Sequence, residues 1–364
     1  MSLRCGIVGL PNVGKSTLFN ALSNAGAESA NFPFCTIDPN VGMVAVPDER
    51  LKKLAGFAES KEVIPTTIEF VDIAGLVKGA SEGKGKGNAF LSHIREVDLI
   101  LHVVRCFDDD DIIHVEGSID PQRDIDIIEA ELILKDLESV EKRVEKLKKE
   151  VKSGDKKTIA QLGVTDRLRE HLENGNAART FDLSDGEEEA IKDLFLLSAK
   201  RVLYACNVGE EDLDSGNKHV ETVKNIAAKY DDEVAMFCAK IEAEIAELDE
   251  DEKEMFLDEL GVDSAGLDRL IHAAYKELGL ITYFTVGPKE ARAWTVKEGT
   301  KAPQAAGVIH TDFERGFIRA ETIAYDDYEE YGSEKEVRDA GRLRQEGKDY
   351  IVKDGDVMLF RFNV

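Results

Sequence analysis

The chain has 364 residues, 73 of them acidic against 47 basic, for a formal net charge of -26 and a pI near 4.7. That length exceeds one ordinary core and predicts two or three domains. A surface this acidic repels nucleic acid, so any RNA contact requires a local basic patch. The five cysteines (Cys5, Cys35, Cys106, Cys206 and Cys238) are odd in number and form no C-x-x-C pair. This pattern predicts free thiols in a reducing compartment and argues against metal or catalytic roles for them. No apolar run approaches the ~18 residues of a membrane helix, and the N-terminal apolar stretch leads directly into a motif, so a cytoplasmic protein is expected.

Leu3 to Val8 reads as a buried strand and Ser16 to Ser23 as a helix. Between them stands Gly9-Leu10-Pro11-Asn12-Val13-Gly14-Lys15-Ser16, a complete G-x-x-x-x-G-K-S phosphate loop in the strand–helix setting it requires. Its glycines let backbone N–H groups approach phosphate, Lys15 carries charge to the β and γ oxygens, and Ser16 can ligate Mg²⁺ at the helix start. Asn12, Val13, Gly14 and Thr17 complete the expected nucleotide contacts. The proline-containing stretch Asn31-Phe32-Pro33-Phe34-Cys35-Thr36 follows as a loop, with Thr36 the candidate to complete the Mg²⁺ shell and sense the γ-phosphate. A short strand, Thr67 to Val71, then delivers Asp72-Ile73-Ala74-Gly75, the D-x-x-G pattern in which Asp72 holds Mg²⁺ and the Gly75 N–H meets the γ-phosphate. Glycine-rich sequence up to Gly87 makes this the second expected switch. Leu76 occupies the position where related GTPases carry a water-orienting glutamine, and leucine cannot orient water. Either hydrolysis is slow or another group takes over. Two histidines lie near enough in sequence. His102 sits within an apolar strand, Asp98 to Cys106, and reads as core; His114 follows in the loop at the strand's carboxyl end and is the preferred catalytic candidate.

From about Ile125 the pattern becomes long helix. Ile133, Leu137, Val140, Val144, Leu147 and Val151 form an a/d seam, Ser153-Gly154-Asp155 breaks it, and Ile159, Leu162, Leu168 and Leu172 mark a returning helix. Residues 141–157 of this hairpin carry eight Lys/Arg against four acids, a basic tip on an acidic protein; it reads either as a solvated helix face or as an arm touching RNA. Ser184 and Glu187 form a capping box for a further helix. The strand Val202 to Cys206 delivers Asn207-Val208-Gly209-Glu210 where GTPases have N-K-x-D. Val208 replaces the lysine that packs on guanine and Glu210 the aspartate that reads it, so guanine selection is expected to weaken in favour of adenine. Asn207 is expected to meet the base N7 or 6-amino group, with Val208 on the ring. Ser198-Ala199-Lys200 imitates a base motif but precedes the strand; Cys238-Ala239-Lys240, after the strand Val234 to Phe237, fits by position. An acidic helix, Glu242 to Asp258, and another, Leu267 to Leu278, close the body. From Thr282 short strands and turns, including Gly299 to Gln304, predict a small β-rich domain without a catalytic constellation.

Together the phosphate loop, the 31–36 loop, Asp72-Ile73-Ala74-Gly75-Leu76-Val77, Asn207 to Glu210 and the C-terminal Lys348-Asp349-Tyr350-Ile351-Val352-Lys353-Asp354-Gly355-Asp356-Val357 resemble the Obg-like ATPases of the YchF type. The resemblance spans the chain. It implies an α/β P-loop NTPase fold of the Ras-like G domain kind, with an inserted coiled-coil hairpin and a C-terminal β-grasp (TGS) domain. Boundaries are expected at 1–127 and 200–279 for the G domain, 128–199 for the insertion and 280–364 for the TGS domain. It also implies ATP preferred over GTP, Mg²⁺ as cofactor, association with the ribosome and its large subunit, and His114 as the catalytic group. Asn12 stands where some related NTPases coordinate K⁺, which leaves K⁺ stimulation open.

Overall fold

β1 (Arg4–Val8) occupies the middle of a six-stranded sheet ordered β2-β4-β1-β5-β6-β7. The computed structural model describes residues 3–27, 40–73, 91, 93–109, 111–246, 248, 250–260 and 264–363. The other strands of this sheet are β2 (Val41–Ala45), β4 (Thr67–Asp72), β5 (Leu99–Arg105), β6 (Arg201–Asn207) and β7 (Val234–Phe237). Pairings from β4 across to β7 are parallel. All seven residues of β5 are buried, as expected for a parallel strand covered on both faces. The carboxyl ends of β1, β4, β5 and β6 therefore share one edge, where such sheets place ligands. His102 lies inside β5, beside Tyr204 at 5.7 Å between ring centroids, and burial pushes its pKa down to about 3. It is a neutral core residue.

Helix α1 (Lys15–Ala27) follows the phosphate loop. The insertion is a hairpin of α3 (Pro121–Glu150) and α4 (Lys156–Glu173). The seam is real over most of its length: Ile133, Val140 and Val144 pack with Leu168 and Leu172, and Leu147 is buried, whereas Ile159 is 48% exposed. Ser184 N–H does donate to Glu187, but only a single helical turn, Glu188–Ile191, follows. The acidic helix expected over 242–258 is two helices, α6 (Ala239–Ile245) and α7 (Glu250–Leu260). Glu242 is turned inward to accept the Gly266 N–H at 2.8 Å. Helices α5 (Lys218–Ala227) and α8 (Gly266–Glu277) complete this part.

The chain divides into two units, residues 1–44 with 69–274 and residues 45–68 with 275–364. The expected boundaries need correction, because residues 45–68 belong to the C-terminal unit. Its sheet runs β11-β10-β12-β8-β9-β3, and the edge strand β3 (Glu62–Ile64) pairs in parallel with β9 (Glu290–Lys297). Helix α2 (Glu49–Phe57) buries Leu51, Leu54 and Ala55 against Phe284, Ile323, Tyr328 and Val357. Arg50 closes this arrangement by donating to Asp48 and to Asp354. The remaining strands are β8 (Leu280–Val286), β10 (Phe317–Ile323), β11 (Arg344–Glu346) and β12 (Val357–Phe362), and the parallel pairing of β8 with β12 inside an otherwise largely antiparallel sheet fits the expected β-grasp. Ala302–Ile309, partly expected as strand and turn, is a helix with Pro303 in its first turn, where proline costs no hydrogen bond.

Candidate nucleotide-binding site

The phosphate loop leaves β1 through Gly9 at φ +154° and turns through Gly14 at φ +101°. A Cβ at Gly9 would lie 2.5 Å from the Val103 carbonyl, and one at Gly14 would lie 2.4 Å from Asn207 Nδ2, so both positions require glycine. Asn12 adopts φ +63°, a conformation asparagine tolerates better than most residues. Its Nδ2 donates to the Ile113 carbonyl at 3.1 Å and leaves Oδ1 unused by that bond. Lys15 is buried and folds back, Nζ donating to the Leu10 carbonyl at 2.6 Å. Burial lowers its pKa to about 8, with Asp72 opposing the shift. Burial raises the Asp72 carboxyl, and Lys15 opposes that shift in turn, so the lysine and carboxylate of the motif lie within each other's field. Ser16 and Thr17 are exposed at the first turn of α1. Thr36, Gly75 and Leu76 lie outside the described residues.

Asn207 has a narrower role than its sequence position suggests. It is 3% exposed; Nδ2 donates to the Val13 carbonyl at 3.0 Å and Oδ1 accepts the Ala239 N–H at 3.0 Å. The side chain straps the phosphate loop to the start of α6, leaving one N–H of its amide for a base. Val208 is 2% exposed and its backbone N–H donates to Phe237, so protein already covers the side chain expected to pack on the ring. Glu210 is exposed at the start of a short turn. The Cys238 thiol pKa is raised chiefly by burial, with the Glu242 and Glu210 carboxylates adding to it. Ser198-Ala199-Lys200 instead serves the hairpin base. There Asp136 accepts from Leu197 N, Ser198 N and Ser198 Oγ, while Lys200 donates to Val97.

His114 is buried at the turn before α3. The Glu116 N–H donates to Nδ1 at 3.2 Å, so Nε2 carries the proton it donates to Asp124 Oδ2 at 2.9 Å. Both ring nitrogens are occupied. The loop leading to it is organised by Arg105, which sequence reading passes over as the polar end of an apolar strand. Arg105 is 1% exposed, and its guanidinium donates to the Phe107, Asp109 and Ile112 carbonyls. A cavity of about 810 Å³ lies elsewhere, between α4 and residues 186–195, and brings together none of the motif residues. Among the described residues no His/Cys/Asp/Glu cluster of metal-site form occurs, and Cys5, Cys106, Cys206 and Cys238 are buried free thiols.

The donor set is that of a nucleoside triphosphate site, and known proteins agree with it. Residues 4–159 match a family described as 50S ribosome-binding GTPase, and residues 280–363 match the YchF-GTPase_C family, described as a protein of unknown function (DUF933). The ribosome-binding ATPase YchF of Bacillus subtilis is 55% identical over 366 residues, spanning all of both chains. Obg-like ATPase 1 of Pongo abelii is 47% identical, over all of this chain and 93% of its own. The solved structure of the Schizosaccharomyces pombe YchF GTPase superposes with a TM-score of 0.87 at 42% identity, over 99% of this chain and 98% of that one.

Proposed function

The chain belongs to the YchF family of Obg-like ATPases, and from that membership we propose that it is an ATP-hydrolysing switch whose nucleotide state controls binding to the ribosome. The observation that carries this reading is the phosphate loop itself, strapped by Asn207 and presenting a buried Lys15 opposite Asp72. Adenine preference rests on the absence of the guanine-reading pair, since Val208 is covered and Glu210 carries the longer side chain. Ser16 and Asp72 offer the oxygen donors that suit Mg²⁺, with Thr36 completing the set. Held by these residues, Mg²⁺ would supply neutralisation of the phosphate charge. The Oδ1 of Asn12 is the group proposed for K⁺. Lys15 holds the phosphate charge, the Gly75 N–H meets the γ-phosphate, and His114, once released from Asp124, directs the water that Leu76 cannot. No helix among the described residues is long and apolar enough to cross a membrane, and the buried thiols suit the cytoplasm.

The deciding experiment is a matched titration with ATP and GTP, each with and without ribosomes. ATP is expected to bind and turn over in preference to GTP; a clear GTP preference overturns the reading of Val208 and Glu210. Absence of turnover under every condition would make the protein a nucleotide-gated binder instead.

Ionisation of Lys15 gives a second expectation. Its free-state pKa near 8 is raised when phosphate anions surround it, so binding takes up a proton once the pH exceeds about 8. Affinity for ATP should be flat from pH 6.5 to 7.5 and then weaken as pH rises, by up to about tenfold per unit. Calorimetric titrations in buffers of different ionisation enthalpy at pH 7 and 9 measure both the affinity and the proton uptake. An unchanged Kd would show that Lys15 is fully charged across this range.

For the ribosome, the hairpin tip is the proposed contact together with the C-terminal unit, on the large subunit. Lys148, Lys149, Lys152 and Lys156 are exposed and form no ion pair among the described residues, while Lys146 reaches Glu150 only at 3.9 Å. Little of this charge is neutralised within the protein. Lys146→Glu, Lys149→Glu and Lys152→Glu combined should abolish cosedimentation with the large subunit at low salt and leave ATP affinity unchanged. Undiminished cosedimentation would leave the tip as a solvated helix face.

A further inference from the structure

We propose that Arg105 is a positioning residue for hydrolysis, holding the main chain that carries His114 in register with the phosphate loop. The inference rests on the reading of His114 as the group that directs water, and it adds a residue whose donors go to the main chain.

Arg105 is the last residue of β5 and among the largest fully buried side chains of the molecule. Burying a guanidinium is costly unless its donors are satisfied, and here no carboxylate among the described residues pairs with it. Three backbone carbonyls do so instead. Nε donates to Phe107 at 3.2 Å, Nη2 to Asp109 at 2.9 Å and Nη1 to Ile112 at 2.8 Å. The guanidinium also lies over the Phe107 ring, 4.5 Å from its centroid. The turn after β5 is thus wrapped around a single fixed cation, a task that suits the planar five-donor fork of arginine and not the point charge of lysine.

The consequence appears at the two residues preceding His114. The Ile112 carbonyl points to Arg105, and the next carbonyl, that of Ile113, accepts from Asn12 of the phosphate loop at 3.1 Å. One peptide is pinned to the sheet and its neighbour to the loop that cradles phosphate. Beyond His114, the Gly117 N–H donates back to the His114 carbonyl at 3.0 Å. The backbone of His114 is therefore fixed on both sides while its ring rests on Asp124. A ring released from Asp124 moves about an anchored Cα, which is the condition under which a side chain can place water reproducibly. Without Arg105, three carbonyls lose their common donor and the approach to His114 is free to shift.

The test is a double-mutant cycle on turnover of the full chain. Arg105→Met is expected to lower kcat by about tenfold or more, with KM for ATP changed less than about twofold. In a His114→Ala background the same substitution should cause no further loss. An equal factor in both backgrounds would overturn the proposal, because Arg105 would then act on the enzyme generally. Wild-type turnover in His114→Ala alone would remove the catalytic reading of His114, and this inference with it, a result distinguishable from the first. Should Arg105→Met not fold, Arg105→Lys carries the cycle: it keeps the charge but cannot span three carbonyls, and the same kcat loss, absent in the His114→Ala background, is expected.

Discussion

Replacing Asn207 by alanine is expected to weaken ATP and GTP binding by the same factor, about 10- to 100-fold, without changing the preference between them. The reason is the pair of bonds its amide makes. Removing it strands the Val13 carbonyl and the Ala239 N–H in a site that is 3% exposed at Asn207. A buried polar group left unpaired costs roughly 1 to 3 kcal/mol, so about 2 to 6 kcal/mol of stabilisation is lost from the phosphate loop and the start of α6 together. Each 1.4 kcal/mol of that loss expressed in binding weakens affinity about tenfold. Asn207→Asp should also be poor, since it keeps the acceptor for Ala239 but sets a carboxylate against the Val13 carbonyl. Gly14 belongs to the same device: it lies so close to Asn207 that a methyl there would meet Nδ2 at 2.4 Å. Equilibrium titrations of both nucleotides against the variant decide the matter. If Asn207 acts mainly by reading the base, the ATP to GTP ratio shifts instead, and the strap is not its principal role.

Asn207 also shows where sequence reading reaches its limit. The motif places the residue at the end of β6, and β6 indeed delivers it to the edge where β1 ends in the phosphate loop. A residue type in a motif does not say how many of its hydrogen bonds the protein itself uses. Local pattern was sufficient for the phosphate loop, for the buried strands and for the hairpin seam, because strand length, heptad spacing and glycine placement act over a few residues. It was insufficient wherever the decisive partner is remote in sequence. Arg105 reads as an ordinary strand end until its three carbonyl acceptors are known, and Ser198, set aside as a base motif because it precedes the strand, has no assignable role until Asp136, 62 residues away, is found to hold it. Glu242 looks like one more charge on a solvated helix, yet it accepts the Gly266 N–H, and burial raises its carboxyl pKa. His114 reads as a loop residue, and its partner is not visible locally because Asp124 is supplied by the first turn of the following helix.

The largest departure from the expected organisation yields the second strong prediction. A chain ending at Gly279 is expected to be unstable and prone to aggregate, although the sequence boundaries present it as a complete nucleotide domain. Helix α2 is retained in such a chain, but Phe284, Ile323, Tyr328 and Val357, which cover Leu51 and Leu54, are removed. These two leucines are 3% and 0% exposed in the full chain, and exposing a leucine costs about 1.5 to 3 kcal/mol, or roughly 3 to 6 kcal/mol for the pair. β3 likewise loses β9, its parallel partner. The effect should reach the nucleotide site, because residues 45–68 are joined to β2 on one side and to β4, with Asp72 at its end, on the other. Leu54→Ala distinguishes this account from a general loss of stability. In the full chain it opens a cavity and should cost roughly 2 to 5 kcal/mol. In the shortened chain the same substitution removes exposed apolar surface and should raise the soluble fraction. Denaturant unfolding of the full chain and sedimentation of the short one measure the two arms. A short chain that is soluble and binds nucleotide as well as the full chain, with Leu54→Ala destabilising both equally, would mean that α2 is covered without the C-terminal residues. The opposite signs expected here follow from the chain path, in which the cover for a helix encoded near residue 50 is supplied more than two hundred residues later.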